Sequence, residues 1–188
     1  MQAVAMTIAL TVTAGLTLWE LSRIGVHQGY APEQPIAFPH DVHAGENHIA
    51  CLYCHYGART SRHAGVPPAS VCMNCHKLLG KQTADIEKLK EAVQQRRPIR
   101  WIKVHNLPDF VYFSHSQHVL SGVNCQQCHG PAEQMSVIRQ AAPLTMGWCL
   151  DCHRRQAHVP TGSAARVLAN FSHAATPTAG LDCASCHY

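Results

Sequence analysis

The sequence predicts a mainly helical and irregular protein with few strands, a core dominated by bound cofactors and one N-terminal transmembrane helix. Three observations lead to this fold class. The 188 residues include ten cysteines and fifteen histidines, which is far above ordinary usage. Only 6% of the residues are aromatic, too few for a conventional aromatic core. The first nineteen residues carry no charge.

All ten cysteines fall in five copies of the pattern Cys-x-x-Cys-His. The cysteines are Cys51 and Cys54, Cys72 and Cys75, Cys125 and Cys128, Cys149 and Cys152, and Cys183 and Cys186, followed by His55, His76, His129, His153 and His187. Two thiols at this spacing form thioether bonds to the vinyl groups of one haem, and the adjacent histidine binds its iron as the proximal ligand. The sequence therefore predicts five covalently bound haem c groups, which would themselves form most of the core.

Two other interpretations of the cysteines are weaker. Five disulfides would fit an oxidising compartment, but they would not require a histidine after every second cysteine. Zinc sites also use Cys-x-x-Cys halves, but five halves cannot pair into four-cysteine sites without leaving one over. The haem interpretation accounts for every cysteine and for the histidine that follows each pair.

The uncharged stretch from Ala3 to Trp19 predicts a membrane anchor. Seventeen helical residues span about 26 Å, slightly less than the roughly 30 Å hydrocarbon core. Trp19, Glu20 and Arg23 would then lie at the interface. A cleaved signal peptide and a buried or interfacial helix are the alternatives. We expect a retained single span with the haem-binding part on the outer, periplasmic side, where haem is attached.

The rest of the chain contains an imperfect repeat. Its copies begin with Phe38-Pro-His40-Asp-Val-His43, Phe113-Ser-His115-Ser-Gln-His118 and Phe171-Ser-His173. The first cysteine follows the phenylalanine by 13, 12 and 12 residues. We therefore divide the chain into an anchor and linker (1–30), a two-haem module (31–80), a helical linker (81–104), a second two-haem module (105–158) and a one-haem half module (159–188). In the helical linker, a helix is predicted from Thr83 to Arg97, with Pro98 ending it.

Five irons with protein ligands on both faces need five distal ligands. The repeat supplies five histidines for this role: His40, His43, His115, His118 and His173. Histidines three residues apart share one face of a helical turn, so one short segment can serve two neighbouring haems. His63, His105 and Met146 remain alternative distal ligands, with propionate hydrogen bonding or packing as their other roles. His27, His48 and His158 are expected at the surface.

Longer stretches of sequence resemble a known family. They are Arg62-His63-Ala-Gly-Val-Pro, Val71-Cys72-Met-Asn-Cys75-His76-Lys77, Val104-His105-Asn-Leu-Pro-Asp-Phe-Val-Tyr-Phe-Ser-His115-Ser-Gln-His118 and Leu144-Thr-Met-Gly-Trp-Cys149. The repeat followed by its haem motifs looks like class III-type multihaem cytochromes c, and these stretches are similar to the pentahaem subunit of alternative complex III. The resemblance covers about residues 36–188.

That resemblance implies a role in a quinol-oxidising membrane complex of a respiratory or photosynthetic chain. The implied partners are an iron–sulfur subunit related to molybdopterin oxidoreductases, polytopic quinol-binding subunits and a monohaem cytochrome c. Electrons would pass through the haems to a soluble periplasmic acceptor, and the chain would not be an enzyme by itself. A net charge of +4 without a concentrated basic run gives no support to a nucleic-acid partner.

Two alternative functions remain. A stand-alone membrane-anchored multihaem quinol dehydrogenase also has one N-terminal span, but the fifth motif and the two-copy repeat depart from the tetrahaem pattern. A haem enzyme, such as a nitrite or hydroxylamine-type reductase, needs an iron with an open position. Such an iron is often signalled by a lysine in place of the motif histidine, whereas all five motifs here end in histidine.

Overall fold

The computed structural model describes residues 2–80, 82–157 and 180–187. The helices in these ranges are α1 Gln2–Ser22, α2 Cys51–Cys54, α3 Ala69–His76, α4 Ala84–Gln94, α5 His115–Leu120, α6 Gln126–His129 and α7 Met146–Ala157. A π-helix, Asp41–Glu46, and three 3₁₀ turns, Tyr56–Arg59, Ala132–Gln134 and Cys183–Ser185, complete the regular structure. The described residues form no strand, only an isolated antiparallel bridge between Val111 and His187. The prediction of a mainly helical chain with few strands is confirmed.

Helix α1 is exposed along its whole length. None of its residues is buried, although most of its side chains are apolar. It is long and apolar enough to cross a membrane, and Arg23 lies 4.8 Å from the centre of the Trp19 ring at its end. The helix therefore has the length, composition and exposure that a single N-terminal anchor requires.

Backbone hydrogen bonds join the two complete copies of the repeat. In the first copy, the backbone N–H groups of His40 and Asp41 donate to the carbonyl oxygen of Met135, at 3.0 and 3.1 Å. In the second copy, the N–H group of His115 donates to the carbonyl oxygen of Arg62 at 3.2 Å. Each histidine-bearing segment is thus anchored on the loop that follows the first haem motif of the other copy. Such reciprocal contacts are those expected between two elements related by an approximate two-fold.

The backbones of the two copies also approach each other closely at Gly45. A Cβ atom at this position would collide with the carbonyl oxygen of Glu133. Gly45 lies in the π-helix of the first copy and Glu133 in the 3₁₀ turn of the second. Glycine is therefore required where the two copies pack together.

Helix α4 begins as predicted but ends earlier. The Thr83 hydroxyl accepts a hydrogen bond from the N–H of Ile86 at 3.3 Å, which caps the first turn. The helix ends at Gln94, three residues before the predicted end at Arg97. Arg96 has a φ of 52°, and this left-handed conformation ends the helix before Pro98 does. Leu89 of the predicted apolar stripe is 5% exposed and belongs to the core.

The polypeptide has a small core of its own. The buried apolar residues in the described ranges are Ala58, Leu89, Val104, Met135 and Ala142. Gln140 is buried among them, and its side chain donates to the carbonyl of Ala142 and accepts from the N–H of Asn106. Its backbone pairs with Gly29 and Tyr30, at 2.8 and 3.0 Å, which fastens the linker after α1 to this core.

Candidate functional site

Every described Cys-x-x-Cys-His motif lies on or beside a helical turn. Helix α2 carries the first motif, α3 the second, α6 the third, α7 the fourth and the turn Cys183–Ser185 the fifth. In the first and third motifs the histidine N–H donates back to the carbonyl of the first cysteine, from His55 to Cys51 at 2.8 Å and from His129 to Cys125 at 2.9 Å. This turn places both thiols and the imidazole at one site. None of the ten cysteines is paired in a disulfide.

Motif histidines face repeat histidines at a characteristic distance. Imidazole nitrogens bind a metal at about 2 Å, so two rings on opposite sides of one iron have centres about 6 Å apart. The ring centres of His43 and His76 are 6.1 Å apart, and those of His118 and His153 are 6.0 Å apart. These are the separations that a bis-histidine iron site requires.

The first histidine of each copy lies at a different motif from the second. His115 faces His129 with ring centres 6.3 Å apart and planes inclined by only 9°. Burial, followed by the neighbouring His55 and His43, lowers the pKa of His40, so His40 lies near the imidazole of His55. In both copies, therefore, the first histidine lies near the histidine of the motif that comes next in the sequence. The second histidine lies near the histidine of the motif after that.

Hydrogen bonds from the ring Nδ1 atoms orient these imidazoles. His43 donates to the carbonyl of Pro39 and His118 to that of Ser114, both at 2.8 Å, while His115 bonds to the carbonyl of Arg62 at 2.9 Å. A proton fixed on Nδ1 leaves Nε2 free to bind iron and makes it a stronger ligand. Among the motif histidines, His55 and His153 bond to backbone carbonyls in the same way, at 2.6 and 2.7 Å.

His40 has no such partner. Its Nδ1 atom is buried and makes no hydrogen bond. A buried polar nitrogen without a partner costs free energy, on the order of 1–3 kcal/mol. Iron bound at Nε2 would leave this Nδ1 atom without a partner, so His40 fits the role of an iron ligand by its position near His55. The donor sets at the first four motifs are accordingly suited to haem.

The phenylalanine of each copy packs on the two histidines that follow it. The ring centre of Phe38 is 4.9 Å from that of His40 and 4.2 Å from that of His43. Phe113 repeats this arrangement, 4.8 Å from His115 and 4.6 Å from His118. The two copies therefore share side-chain geometry as well as sequence, and each aromatic ring limits the rotation of both imidazoles beside it.

The third motif contains a contact that sequence reasoning missed. The Nδ1 atom of His129 lies 3.1 Å from Nε2 of His105, and the ring centres are 4.3 Å apart. Burial, followed by neighbouring His105, His115, His55 and His40, lowers the pKa of His129 to about 4. Burial and His115 lower the pKa of His105 as well. Both rings are therefore neutral at physiological pH, the form in which imidazole binds a metal.

The remaining candidates lie elsewhere. His63, His27 and His48 are exposed, as is Met146, whose exposed fraction is 65%. His187 of the fifth motif has Phe110 beside it, with ring centres 5.7 Å apart. The predicted distal ligand His173 lies outside the described residues, and so does His158.

Cysteines of different motifs lie close together in a definite order. The neighbouring pairs are Cys54 with Cys72, Cys51 with Cys125, Cys128 with Cys152 and Cys149 with Cys186. Burial and these neighbours raise the pKa of the Cys54, Cys125, Cys128 and Cys149 thiols. The second motif therefore adjoins the first, and the third, fourth and fifth follow in sequence order.

Comparison with known proteins agrees with this donor chemistry. Residues 117–188 match the cytochrome c3 family. The chain is also 35% identical over 103 residues to the "Menaquinone reductase, multiheme cytochrome c subunit" of Nitratidesulfovibrio vulgaris strain Hildenborough. That alignment covers 54% of this chain and 48% of the relative, so the chain matches about half of the relative's length.

The five motifs and the two similarities point to the same chemistry. Residues 117–188 are similar to cytochrome c3, and the matched relative is named as a multihaem cytochrome c subunit. Covalent haem c is the cofactor that the cysteine pairs of this chain are suited to bind.

Proposed function

We propose that this chain is the electron-transfer subunit of a membrane-bound quinol-oxidising complex and relays electrons through five haem c groups to a periplasmic acceptor. The observation that carries this proposal is the spacing of about 6 Å between motif and repeat imidazoles at three motifs. Two imidazoles on one iron leave no position for a substrate. The chain would accordingly relay electrons and perform no bond chemistry itself.

The proposed iron ligands follow the order of the repeat. His55, His76, His129, His153 and His187 would be the proximal ligands. The distal ligands would be His40, His43, His115, His118 and His173, paired with those motifs in the same order. The pairing of His173 with His187 extends the regularity of the two complete copies to the half copy. It is an expectation from sequence alone.

Haem c supplies a one-electron ferric–ferrous couple at each site. The residues of the chain limit the change in ligand geometry between the ferric and ferrous states. The Nδ1 hydrogen bonds of His43, His115 and His118 fix the orientation of the distal rings, and Phe38 and Phe113 pack against them. Rigid ligands lower the reorganisation that accompanies electron transfer, and bis-histidine ligation favours low potentials.

We infer the order of the relay from the neighbouring cysteines. The side chains of Cys51 and Cys125 are neighbours, so the first and third motifs adjoin where the two repeat copies meet. The sequence of sites would be second, first, third, fourth and fifth. The motifs at Cys72 and Cys183 would then be the two ends, where electrons enter and leave.

The partners follow from the resemblance and from the anchor. They would be an iron–sulfur subunit related to molybdopterin oxidoreductases, polytopic quinol-binding subunits and a monohaem cytochrome c. Helix α1 would hold the chain in the cell membrane, with the haem-binding part on the periplasmic side. Attachment of haem c in the oxidising compartment supports that side.

The opposite direction of electron flow is a second candidate. The similar protein of Nitratidesulfovibrio vulgaris bears the name of a menaquinone reductase subunit. A chain with the same function would deliver electrons from a periplasmic donor to a membrane subunit that reduces menaquinone. The same relay serves both directions, because each haem site exchanges one electron reversibly.

The test is purification of the native assembly in mild detergent, followed by haem reduction assays. The proposal predicts copurifying iron–sulfur and polytopic subunits, with haem reduction on addition of menaquinol. Reoxidation of the pre-reduced haems by menaquinone, without reduction by menaquinol, would favour the reverse direction. A chain that purifies alone and is still reduced by quinol would instead be a stand-alone quinol dehydrogenase.

A further inference from the structure

The imidazole of His105 contacts a proposed iron ligand without facing an iron site itself. Its Nε2 atom lies 3.1 Å from Nδ1 of His129, and the two rings meet edge-on at 77°. His115 would supply the distal ligand opposite His129, and its ring is nearly parallel to that of His129. His105 therefore lies behind the proximal ligand of the third motif.

We propose that His105 is a positioning residue that lowers the reduction potential of the haem at Cys125 and Cys128 by accepting a hydrogen bond from His129. This inference rests on the proposed function, since it requires a haem at the third motif. It deepens that function, because a residue outside the Phe-x-His-x-x-His pattern would give one of the five sites a different reduction potential.

The direction of the hydrogen bond follows from the chemistry of His129. Because its Nε2 binds the iron, its only hydrogen is on Nδ1, so Nδ1 must donate. Nε2 of His105 then accepts, and the hydrogen of the His105 ring is on its own Nδ1. An acceptor behind a ligating histidine increases the electron density at Nε2, which favours the ferric state.

The third motif differs from two others in the group that accepts the hydrogen bond of its histidine. His55 and His153 donate to the carbonyl oxygens of Gly65 and Gly180. An imidazole nitrogen is a much stronger base than a peptide carbonyl oxygen. His105 therefore draws the Nδ1 proton of His129 more strongly than either carbonyl does.

Buried neighbours hold His105 in place. Val104 is 8% exposed, and the N–H of Asn106 donates to Oε1 of Gln140 at 3.1 Å. Gln140 is 1% exposed, and the carbonyl of Ala142 fixes its amide group at 3.1 Å. Both sides of His105 are thus attached to the small core, which maintains the ring contact with His129.

The experiment compares reduction potentials in the purified holoprotein complex by spectroelectrochemical titration. His105→Phe keeps a ring but removes the acceptor, and His105→Gln offers a weaker amide acceptor. The exposed His27→Gln is the matched control. We expect His105→Phe to shift the ferric–ferrous equilibrium of one haem about tenfold toward ferrous, which is about 59 mV upward for one electron. His105→Gln should give a smaller shift and His27→Gln none.

Further measurements separate the possible outcomes. The shifted couple should be the one missing from a Cys125→Ala, Cys128→Ala variant, with all haems still low-spin. Unchanged potentials in both His105 variants, or a shift spread over all haems, would overturn the inference. A new high-spin haem would make His105 an iron ligand and would also overturn it. If the His105→Phe chain does not mature with its haems, the His105→Gln variant alone tests the inference. Absence of haem at this motif in the wild-type chain would instead refute the proposed function.

Discussion

Nδ1 of His115 lies 2.9 Å from the carbonyl oxygen of Arg62, which is 53 residues earlier and belongs to the other copy of the repeat. The exchange is mutual, because the N–H of His40 donates to the carbonyl of Met135. The position of each histidine-bearing segment therefore depends on both copies. This interdependence explains how loops with a small core can keep several imidazole pairs at the separation that iron requires.

Removal of a distal histidine should open one iron. His118→Leu removes the imidazole that faces His153 at 6.0 Å, so the iron at the fourth motif would keep one protein ligand. We expect one of the five proposed haems to become high-spin and to bind carbon monoxide when reduced. His43→Leu should do the same at the second motif. Electronic absorption and carbon monoxide titration measure both effects.

The exposed His48 provides a comparison for these variants, with His48→Asn as the substitution because asparagine tolerates its positive φ of 52°. This variant should keep every haem low-spin and bind no carbon monoxide. Low-spin haems throughout in His118→Leu would show that another residue, such as Met146, binds that iron.

Gly45→Ala should loosen the contact between the two repeat copies. The added methyl group would collide with the Glu133 carbonyl oxygen, which belongs to rigid backbone. We expect a loss of about 1–3 kcal/mol of stability, visible as a lower thermal midpoint. Gly147→Ala is the matched control, since a Cβ there meets nothing within 4 Å and alanine favours the helix. Equal midpoints for both variants would argue against a tight contact at Gly45.

Loss of the third haem should divide the relay. In a Cys125→Ala, Cys128→Ala variant, the first and second haems would be separated from the fourth and fifth. Rapid mixing with a reductant for one end should then reduce only two haems quickly. A Cys183→Ala, Cys186→Ala variant removes a terminal site and should leave the other four connected. Fast reduction of all four remaining haems in the first variant would contradict the proposed order.

Deletion of residues 2–22, with a cleavable export signal in their place, should release a soluble haem protein. None of these residues is buried against the rest of the described chain, so their removal leaves the haem sites intact. Ultracentrifugation after export measures the partition between membrane and soluble fractions. Tight binding of the truncated chain to pure lipid vesicles would place the anchor elsewhere.

Local features of the sites were predictable from the sequence. The spacing of Cys125, Cys128 and His129 determines a helical turn with its ligands on one side, and the Phe-x-His-x-x-His pattern places two imidazoles on one turn. These predictions depend on residues fewer than six positions apart. Backbone periodicity is sufficient to relate such residues.

Contacts between distant segments were not predictable. His105 and His129 are 24 residues apart, and their contact depends on the packing of a loop on the buried Gln140. A buried glutamine carries no sequence signature, because polar residues are mostly exposed. The early end of helix α4 was also not predicted, because the left-handed conformation of Arg96 is a local property of the backbone.

Intact-mass measurement of the fully matured chain tests the central claim most directly. Five complete Cys-x-x-Cys-His motifs predict a mass that exceeds that of the polypeptide by five haems, with a pyridine haemochrome assay giving the same number. An excess of four haems or fewer in fully matured protein would contradict the five-site relay.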